Sequence, residues 1–153
     1  MTTSTEVKWY AAYPVARTQP PAAIDRTQLL QLIKESQDDT KDFLLIDLRR
    51  VDHEGGTIQG SINLPAQSLF PTIPTLYTLF KAAGLKQVIW YCGSSKGRGN
   101  RGAAWFADYI QDQGDEEMKS LVLTDGINGW VKAGEEYVAL VDEYKKEVWE
   151  KEA

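Results

Sequence analysis

Cysteine and histidine are almost absent from this sequence, and each absence excludes a class of site. Among 153 residues the only cysteine is Cys92 and the only histidine is His53. A single cysteine rules out a disulfide within the chain and a zinc site with four cysteine ligands. The first 20 residues also lack the basic start and apolar core of a secretory signal. These features predict a protein of the cytoplasm or nucleus, where thiols stay reduced.

Long apolar runs and net positive charge are missing as well. No stretch approaches the ~18 apolar residues that a membrane-spanning helix needs, and 17 basic against 22 acidic residues give a net charge of −5. We therefore expect neither a membrane nor a nucleic acid as partner, because binding to duplex phosphates relies on a basic surface. Apolar residues make up 42% of the chain and charged residues 25%, which is the balance of a soluble globular domain.

Acidic residues are missing from one long internal segment. Between Gly55 and Ala107 there is no Asp or Glu. The same segment contains five cations, which are Lys81, Lys86, Lys96, Arg98 and Arg101. An acidic protein with a basic middle indicates a local site for an anion. The charge pattern alone leaves a second interpretation open, in which the segment is buried and apolar and lacks acids by chance.

The rest of the pattern alternates helices with short apolar strands. Asp25 and Gln28 have the spacing of a capping box, at the start of a helix that runs to about Glu35. Apolar runs and helical periods then predict, in chain order, the strand Phe43–Asp47, the helix Leu76–Ala83, the strand Leu85–Tyr91, the helix Arg101–Gln113 and the strand Ser120–Leu123. This alternation predicts an α/β domain with a mainly parallel sheet covered by helices on both faces.

The chain divides into one domain with two flanking segments. Residues 1–21 are rich in Thr, Ala and Pro and are predicted to form a linker-like segment. Residues 22–134 form the domain. Residues 135–153 are predicted to form a long amphipathic helix packed on the same domain, because apolar side chains recur there at helical spacing, at Tyr137, Val141, Tyr144 and Val148.

The chemistry is expected in the loop from Cys92 to Arg98, which follows a buried strand and precedes a helix. Consecutive N–H groups of such a loop, at Gly93, Ser94, Ser95, Lys96 and Gly97, can converge on an anion. The positive end of the following helix dipole points to the same place. These groups would hold the cysteine as the reactive thiolate, and Arg98 can bind two oxygens of a tetrahedral anion through its planar fork.

A cysteine at the end of a strand is more often a small buried hydrophobe than a nucleophile. A Cys followed by an Arg six residues later is therefore weak evidence by itself. The strand before the loop, the helix after it, the Gly and Ser residues within it and the lack of acids around it favour an anion-binding cysteine.

Taken together, three stretches resemble the rhodanese fold. Residues 45–49 (LIDLR) and 54–65 (EGGTIQGSINLP) are similar to the family's D-x-R and G-H-I-x-G-A-I-N-x-P motifs. Residues 123–130 (LTDGINGW) resemble its L-x-G-G-x-x-x-W motif, and all three lie in the family's order over about residues 22–134. The resemblance implies a three-layer α/β domain with a mainly parallel central sheet.

The length of the active loop separates the chemistries of this fold. Cys92 to Arg98 spans seven residues, which resembles the cell-division-cycle-25 type phosphatases and the related small arsenate reductases. Rhodanese sulfurtransferases have a loop one residue shorter. The resemblance implies that Cys92 is the nucleophile, that Arg98 binds the oxyanion, and that the main chain from Gly93 to Gly97 supplies donors. Lys96 is expected to add charge at the mouth.

Three positions depart from the phosphatase pattern and leave the proton donor open. Tyr91 and Thr57 stand where the family has His, and Gly97 stands where the cell-cycle enzymes have an acid. The nearest donors by the fold are in the segment Asp52-His53-Glu54, although a lone loop histidine is more often simply exposed. The D-x-R pair, Asp47 and Arg49, is expected to be structural.

The sequence thus predicts a cysteine-dependent phosphatase that forms a cysteinyl-phosphate and needs no metal or organic cofactor. One alternative is an arsenate reductase that depends on external glutathione or glutaredoxin, because Cys92 has no second cysteine to resolve it. Thiosulfate sulfurtransferase is a further alternative. A non-catalytic module that binds an anion or a protein is the last. The expected partner is a phosphate-like oxyanion or a phosphorylated substrate.

Overall fold

The first helix begins at the capping box that the sequence predicts. The computed structural model describes residues 8–36 and 41–151, and in it α1 covers Arg26–Glu35. The Gln28 amide donates to Asp25 Oδ1 over 2.8 Å, and the Asp25 amide donates to Gln28 Oε1 over 3.0 Å. This reciprocal pair satisfies two N–H groups that the first turn leaves without helical partners.

A five-stranded parallel sheet forms the centre of the domain. In spatial order its strands are β1 (Ala23–Ile24), β6 (Lys119–Leu123), β5 (Gln87–Tyr91), β2 (Phe43–Asp47) and β4 (Ser61–Asn63). The predicted strand Phe43–Asp47 is confirmed. The predicted strand Leu85–Tyr91 begins two residues later than expected, at Gln87, and the Leu85 amide still donates to the carbonyl of Phe80 in the preceding helix.

Helices cover both faces of this sheet, so the three-layer α/β fold is confirmed. On one face lie α2 (Ile73–Ala82) and α3 (Arg98–Asp112), which pack against Val88 and Trp90. On the other face lie α1, α4 (Gly126–Lys132) and α5 (Glu135–Val138), which pack against Ile89 and Tyr91. Within the described residues, no helix is long and apolar enough to cross a membrane.

The N-terminal segment is not a linker, and the prediction for residues 1–21 is wrong from residue 8 onward. Residues 1–7 lie outside the described part. Trp9–Ala12 form a 3₁₀ helix, and the rings of Trp9 and Tyr13 pack edge-on against Trp105 of α3 at 6.1 and 5.8 Å. The Trp105 indole donates to the Pro14 carbonyl over 2.9 Å. Packing of half-buried aromatic rings against α3 therefore holds in place a segment that has no helical period.

The single C-terminal helix expected over residues 135–153 is also wrong, although residues 152–153 lie outside the described part. Three pieces replace it: α5, the short strand β7 (Val141–Asp142) and α6 (Lys146–Lys151). β7 pairs antiparallel with β3 (Thr57–Ile58), and Glu143 has φ +59. The apolar spacing arises because each piece packs separately on the domain. The Trp149 indole, for instance, donates to the Gly55 carbonyl over 2.9 Å.

Candidate active site

Cys92 lies at the carboxyl edge of the sheet, directly after the central strand β5. The loops that follow β2 and β6 begin at the same edge, since all three strands are parallel. Ligands of open α/β sheets bind at this edge. The fold therefore brings the predicted Cys92–Arg98 loop together with the segments after Asp47 and after Leu123.

Two backbone amides donate to the Cys92 sulfur. The Ser95 amide points to Sγ at 3.2 Å and the Gly99 amide at 3.3 Å. Ser95 adopts the left-handed conformation, with φ +63, and its buried hydroxyl accepts from the Cys92 amide at 3.4 Å. The cysteine itself is only 2% exposed. Such donors stabilise a sulfur anion, which is the nucleophilic form.

Three further amides of the loop are free to bind an anion. Within the described part of the chain, the N–H groups of Gly93, Ser94 and Gly97 have no hydrogen-bond partner. The Lys96 amide instead donates to Ser94 Oγ over 3.2 Å, and the Lys96 side chain is exposed at the rim. Gly97 leads into α3, whose first N–H groups add to the positive potential.

The start of α4 orients the loop from the outside. The Ile127 amide donates to the Cys92 carbonyl over 3.1 Å, and the Asn128 amide donates to the Gly93 carbonyl over 2.9 Å. With these carbonyls held outward, the adjacent amides turn inward. Gly126 has φ +58, and a Cβ there would collide with both carbonyl oxygens. This is the physical role of the LTDGINGW stretch, which sequence reasoning recognised as a motif without assigning a function to Gly126 or Asn128.

Arg98 lies at the rim of the loop and forms an ion pair with Asp52. Its Nη1 and Nη2 donate to Asp52 Oδ1 and Oδ2 over 2.8 and 2.6 Å. These hydrogen bonds lower the pKa of Asp52 to about 2. Hydrogen bonding to Asp52, and then the charge interaction with Cys92, raise the pKa of the Arg98 guanidinium. The sequence placed Asp52 near the site but did not predict this pair.

Asp47 and Arg49 hold the loop that carries Asp52. The pair is buried, with side chains 0% and 2% exposed, and Arg49 Nη2 lies 2.8 Å from Asp47 Oδ2. The same guanidinium donates to the carbonyls of Gly56 over 2.7 Å and Glu54 over 3.2 Å. His53 Nε2 lies 3.4 Å from Asp47 Oδ2 without forming a hydrogen bond. The pair acts structurally, as expected, and His53 faces it instead of Cys92.

The two positions that lack the family's histidines contact each other. The Tyr91 hydroxyl lies 2.9 Å from Thr57 Oγ1 and 2.7 Å from Ser61 Oγ, and it accepts from the Ile58 amide. Burial, and then the charge of Asp47, raise the pKa of Tyr91. This hydroxyl points into the sheet face opposite α3, so neither Tyr91 nor Thr57 supplies a proton at the loop.

Two cavities flank the loop. One of about 130 Å³ has in its lining Asp52, Glu54, Gly93, Asn128 and Trp149, so α6 forms part of its wall. Another of about 540 Å³ has in its lining Lys96, Gly97, Arg101, Tyr10 and Trp105. Arg101 lies over the Tyr10 ring at 3.6 Å. The described residues contain no group of three His, Cys, Asp or Glu side chains placed to bind a metal.

Comparisons with known proteins find relatives of the same fold. The chain is 31% identical over 114 residues to Arsenical-resistance protein 2 of Saccharomyces cerevisiae. The matched region covers 70% of this chain and 85% of that protein. A yeast protein tyrosine phosphatase of the rhodanese family has a similar structure, with a TM-score of 0.71, 20% identity, and coverage of 86% of this chain and 99% of that one. An As-Sb reductase from Leishmania major has a TM-score of 0.70, 22% identity, and coverage of 86% and 97%. Residues 25–133 match the family described as Rhodanese-like domain, and the chain belongs to this family.

Proposed function

We propose that the protein is a cysteine-dependent phosphatase acting through a cysteinyl-phosphate. The observation that carries the proposal is the seven-residue loop from Cys92 to Arg98, in which two amides donate to the sulfur and the free N–H groups of Gly93, Ser94 and Gly97 remain for a tetrahedral anion. Preorganised donors of this kind stabilise the charge that builds up on the equatorial oxygens during phosphoryl transfer.

The reaction has two displacements at phosphorus. The Cys92 thiolate attacks phosphorus, a P–S bond forms, and the P–O bond to the leaving group breaks. Water then attacks the same phosphorus, the P–S bond breaks, and inorganic phosphate leaves with the thiolate restored. Arg98 contributes a bidentate contact to two oxygens in both steps. The chemistry requires no metal and no organic cofactor.

Reduction of arsenate is the second candidate, and the 31% identity to Arsenical-resistance protein 2 favours it. Arsenate fits the same donors, and Cys92 forms an S–As bond as one As–O bond breaks and its oxygen leaves as water. An external thiol such as glutathione then attacks sulfur, arsenic(V) leaves as arsenic(III), and the mixed disulfide needs a second thiol or a glutaredoxin for release. Sulfur transfer from thiosulfate and anion or protein binding without catalysis remain as further alternatives.

Three assays run in parallel separate these functions. Phosphate release from aryl phosphates is measured beside arsenate-dependent oxidation of glutathione with glutaredoxin, and beside thiocyanate formation from thiosulfate and cyanide. Cys92→Ser should abolish phosphate release but retain phosphate binding, whereas Lys96→Ala, a change at the exposed rim, should retain most activity. Full activity of Cys92→Ser would refute the covalent mechanism. Arsenate-dependent thiol oxidation without any phosphate release would establish the reductase instead.

A further inference from the structure

Asp52 binds the Arg98 guanidinium, which the proposed reaction needs for binding its substrate. Both Arg98 nitrogens of the planar fork are bound to the two Asp52 oxygens, at 2.8 and 2.6 Å. A carboxylate and one edge of a phosphate present the same pair of oxygens to a guanidinium. Asp52 is thus an internal stand-in for the anion, and substrate and Asp52 compete for Arg98.

We propose that the bound substrate displaces Asp52 from Arg98, and that the released Asp52 carries the proton to the leaving group and later accepts one from the attacking water. This inference rests on the proposed phosphatase function and assigns the donor that the loop lacks. It follows from position: Asp52 touches the residue that binds the equatorial oxygens, and it lines a cavity together with Gly93 at the start of the loop.

Few other groups can take this role. The loop and its following helix carry no acid before Asp108. Tyr91 is bound within the sheet face, and His53 lies against Asp47. Glu54 is the one other carboxylate in the lining of the cavity that Gly93 shares, and it makes no contact with Arg98 in the described structure. Glu54 is therefore the competing candidate, which the test must distinguish from Asp52.

Displacement of Asp52 from Arg98 raises the proton affinity of Asp52, as a proton donor requires. In the pair, hydrogen bonds from Arg98 keep the pKa of Asp52 at about 2, so it is ionised. Once Arg98 turns to the substrate, Asp52 loses these hydrogen bonds and the negative substrate lies nearby. Both changes raise the pKa of Asp52 and favour its neutral form. Arg98 of α3 is the charged group bound to the Asp52 carboxylate. The other charged residues in the lining of the cavity that Asp52 shares are Arg49 and Glu54 of its own loop, and Val148 and Trp149 of α6 complete that part of the wall.

The proton balance closes over one turnover. Asp52 takes a proton from solvent when the pair opens and transfers it to the leaving oxygen as the P–O bond breaks. The resulting carboxylate removes a proton from the water that attacks the cysteinyl-phosphate. That proton returns to solvent when phosphate leaves and Arg98 binds Asp52 again.

The test compares Asp52→Asn with Glu54→Gln in the full chain. Asparagine retains an oxygen to accept from the Arg50 amide, as Asp52 Oδ1 does at 3.1 Å, but it has no charge and cannot carry the proton. Activity is measured on phenyl phosphate, a poor leaving group, and on dinitrophenyl phosphate, a good one. Phosphate affinity is measured separately by calorimetry, and thermal melting verifies that both variants fold. Asp52→Ala serves as a second variant if the asparagine form is unstable.

The expected result is selective. Asp52→Asn should lose about 10²–10⁴-fold in kcat/KM on phenyl phosphate, the usual contribution of a positioned donor, and little on dinitrophenyl phosphate. It should bind phosphate about fivefold more tightly, because a half-exposed ion pair worth up to ~1 kcal/mol no longer competes for Arg98. Glu54→Gln should change neither quantity appreciably.

Other outcomes overturn the proposal in distinguishable ways. Unchanged phosphate affinity in Asp52→Asn would show that no exchange occurs. Equal changes on both substrates would leave Asp52 as a competitor alone, and a selective loss in Glu54→Gln would assign the donor to Glu54. Absence of wild-type turnover on both substrates would refute the phosphatase function and the proton transfer with it, while phosphate affinity would still decide whether Asp52 and the anion exchange.

Discussion

Replacing Arg49 tests how the buried ion pair supports the site. The Arg49 side chain is 2% exposed and donates to both Asp47 oxygens, to the Gly56 carbonyl at 2.7 Å and to the Glu54 carbonyl at 3.2 Å. Arg49→Ala leaves the Asp47 carboxylate buried without its counter-ion. Breaking a buried pair in this way costs about 3–5 kcal/mol of unfolding free energy.

A graded series makes the magnitude specific. Arg49→Lys retains the charge but loses most of the fork, so at about 1 kcal/mol for each lost hydrogen bond we expect about 2–3 kcal/mol. Arg50→Ala changes the exposed neighbour and should stay within about 0.5 kcal/mol. The double variant Asp47→Asn with Arg49→Met should cost less than the sum of its single changes, because no unpaired charge remains.

The assay is urea unfolding monitored by circular dichroism at neutral pH. Phosphate affinity measured on the same proteins reports on the loop between Asp52 and Gly56, whose carbonyls Arg49 binds. A loss of less than about 1 kcal/mol in Arg49→Ala, which is the range of an exposed pair, would refute the reasoning. It would mean that water reaches Asp47 and replaces the lost donors.

Three further changes have defined outcomes. Gly126→Ala should abolish phosphate binding, because its Cβ would collide with the loop carbonyls, whereas Gly84→Ala has a similar φ of +77 and open space around it and should lose about 1 kcal/mol of stability with binding intact. Arg101→Ala removes the cation over the Tyr10 ring at 3.6 Å, so limited proteolysis should cut the N-terminal segment faster, and an unchanged rate would contradict its anchoring role. Hydrogen bonds from Lys81 and then Tyr77 lower the pKa of Asp115, so its stabilisation is present above the unfolded pKa of about 3.9 and is lost as pH falls. Asp115→Asn should therefore destabilise the protein at pH 7 and progressively less below about pH 4, as urea unfolding at each pH would show; an equal loss at all pH values would exclude the linkage.

The central fold was predictable because its signals are local. The run Phe43–Asp47 is apolar since both faces of the strand are covered, and the capping box at Asp25 needs only residues of one turn. The order of motifs then placed Cys92 at the sheet edge. Trp90, Trp105 and Trp130 lie on elements of this fold, and all three are buried.

What the sequence did not reveal depends on contacts between distant segments. The spacing of Tyr137, Val141 and Tyr144 is typical of a helix. In the structure Val141 instead pairs with Ile58 and forms a strand. Because Ile58 is distant in the sequence, the local pattern could not predict this pairing. The same holds for the Asp52–Arg98 pair. Tyr91 and Thr57 looked like two separate departures from a family pattern, but in three dimensions they form one hydrogen-bonded group.

The position of β1 at the edge of the sheet has a consequence for the order of folding. Ala23 and Ile24 pair with Val122 and Leu123, so the first strand of the domain cannot close until nearly all of the domain has been synthesised. At ~5–20 residues per second this delay lasts about 5–20 s. Until then, the apolar side of α1 lacks the neighbours that β6 and α4 contribute to the same cluster, and transiently exposed apolar surface of this kind favours aggregation. Parallel pairings of such high sequence separation also make refolding slow.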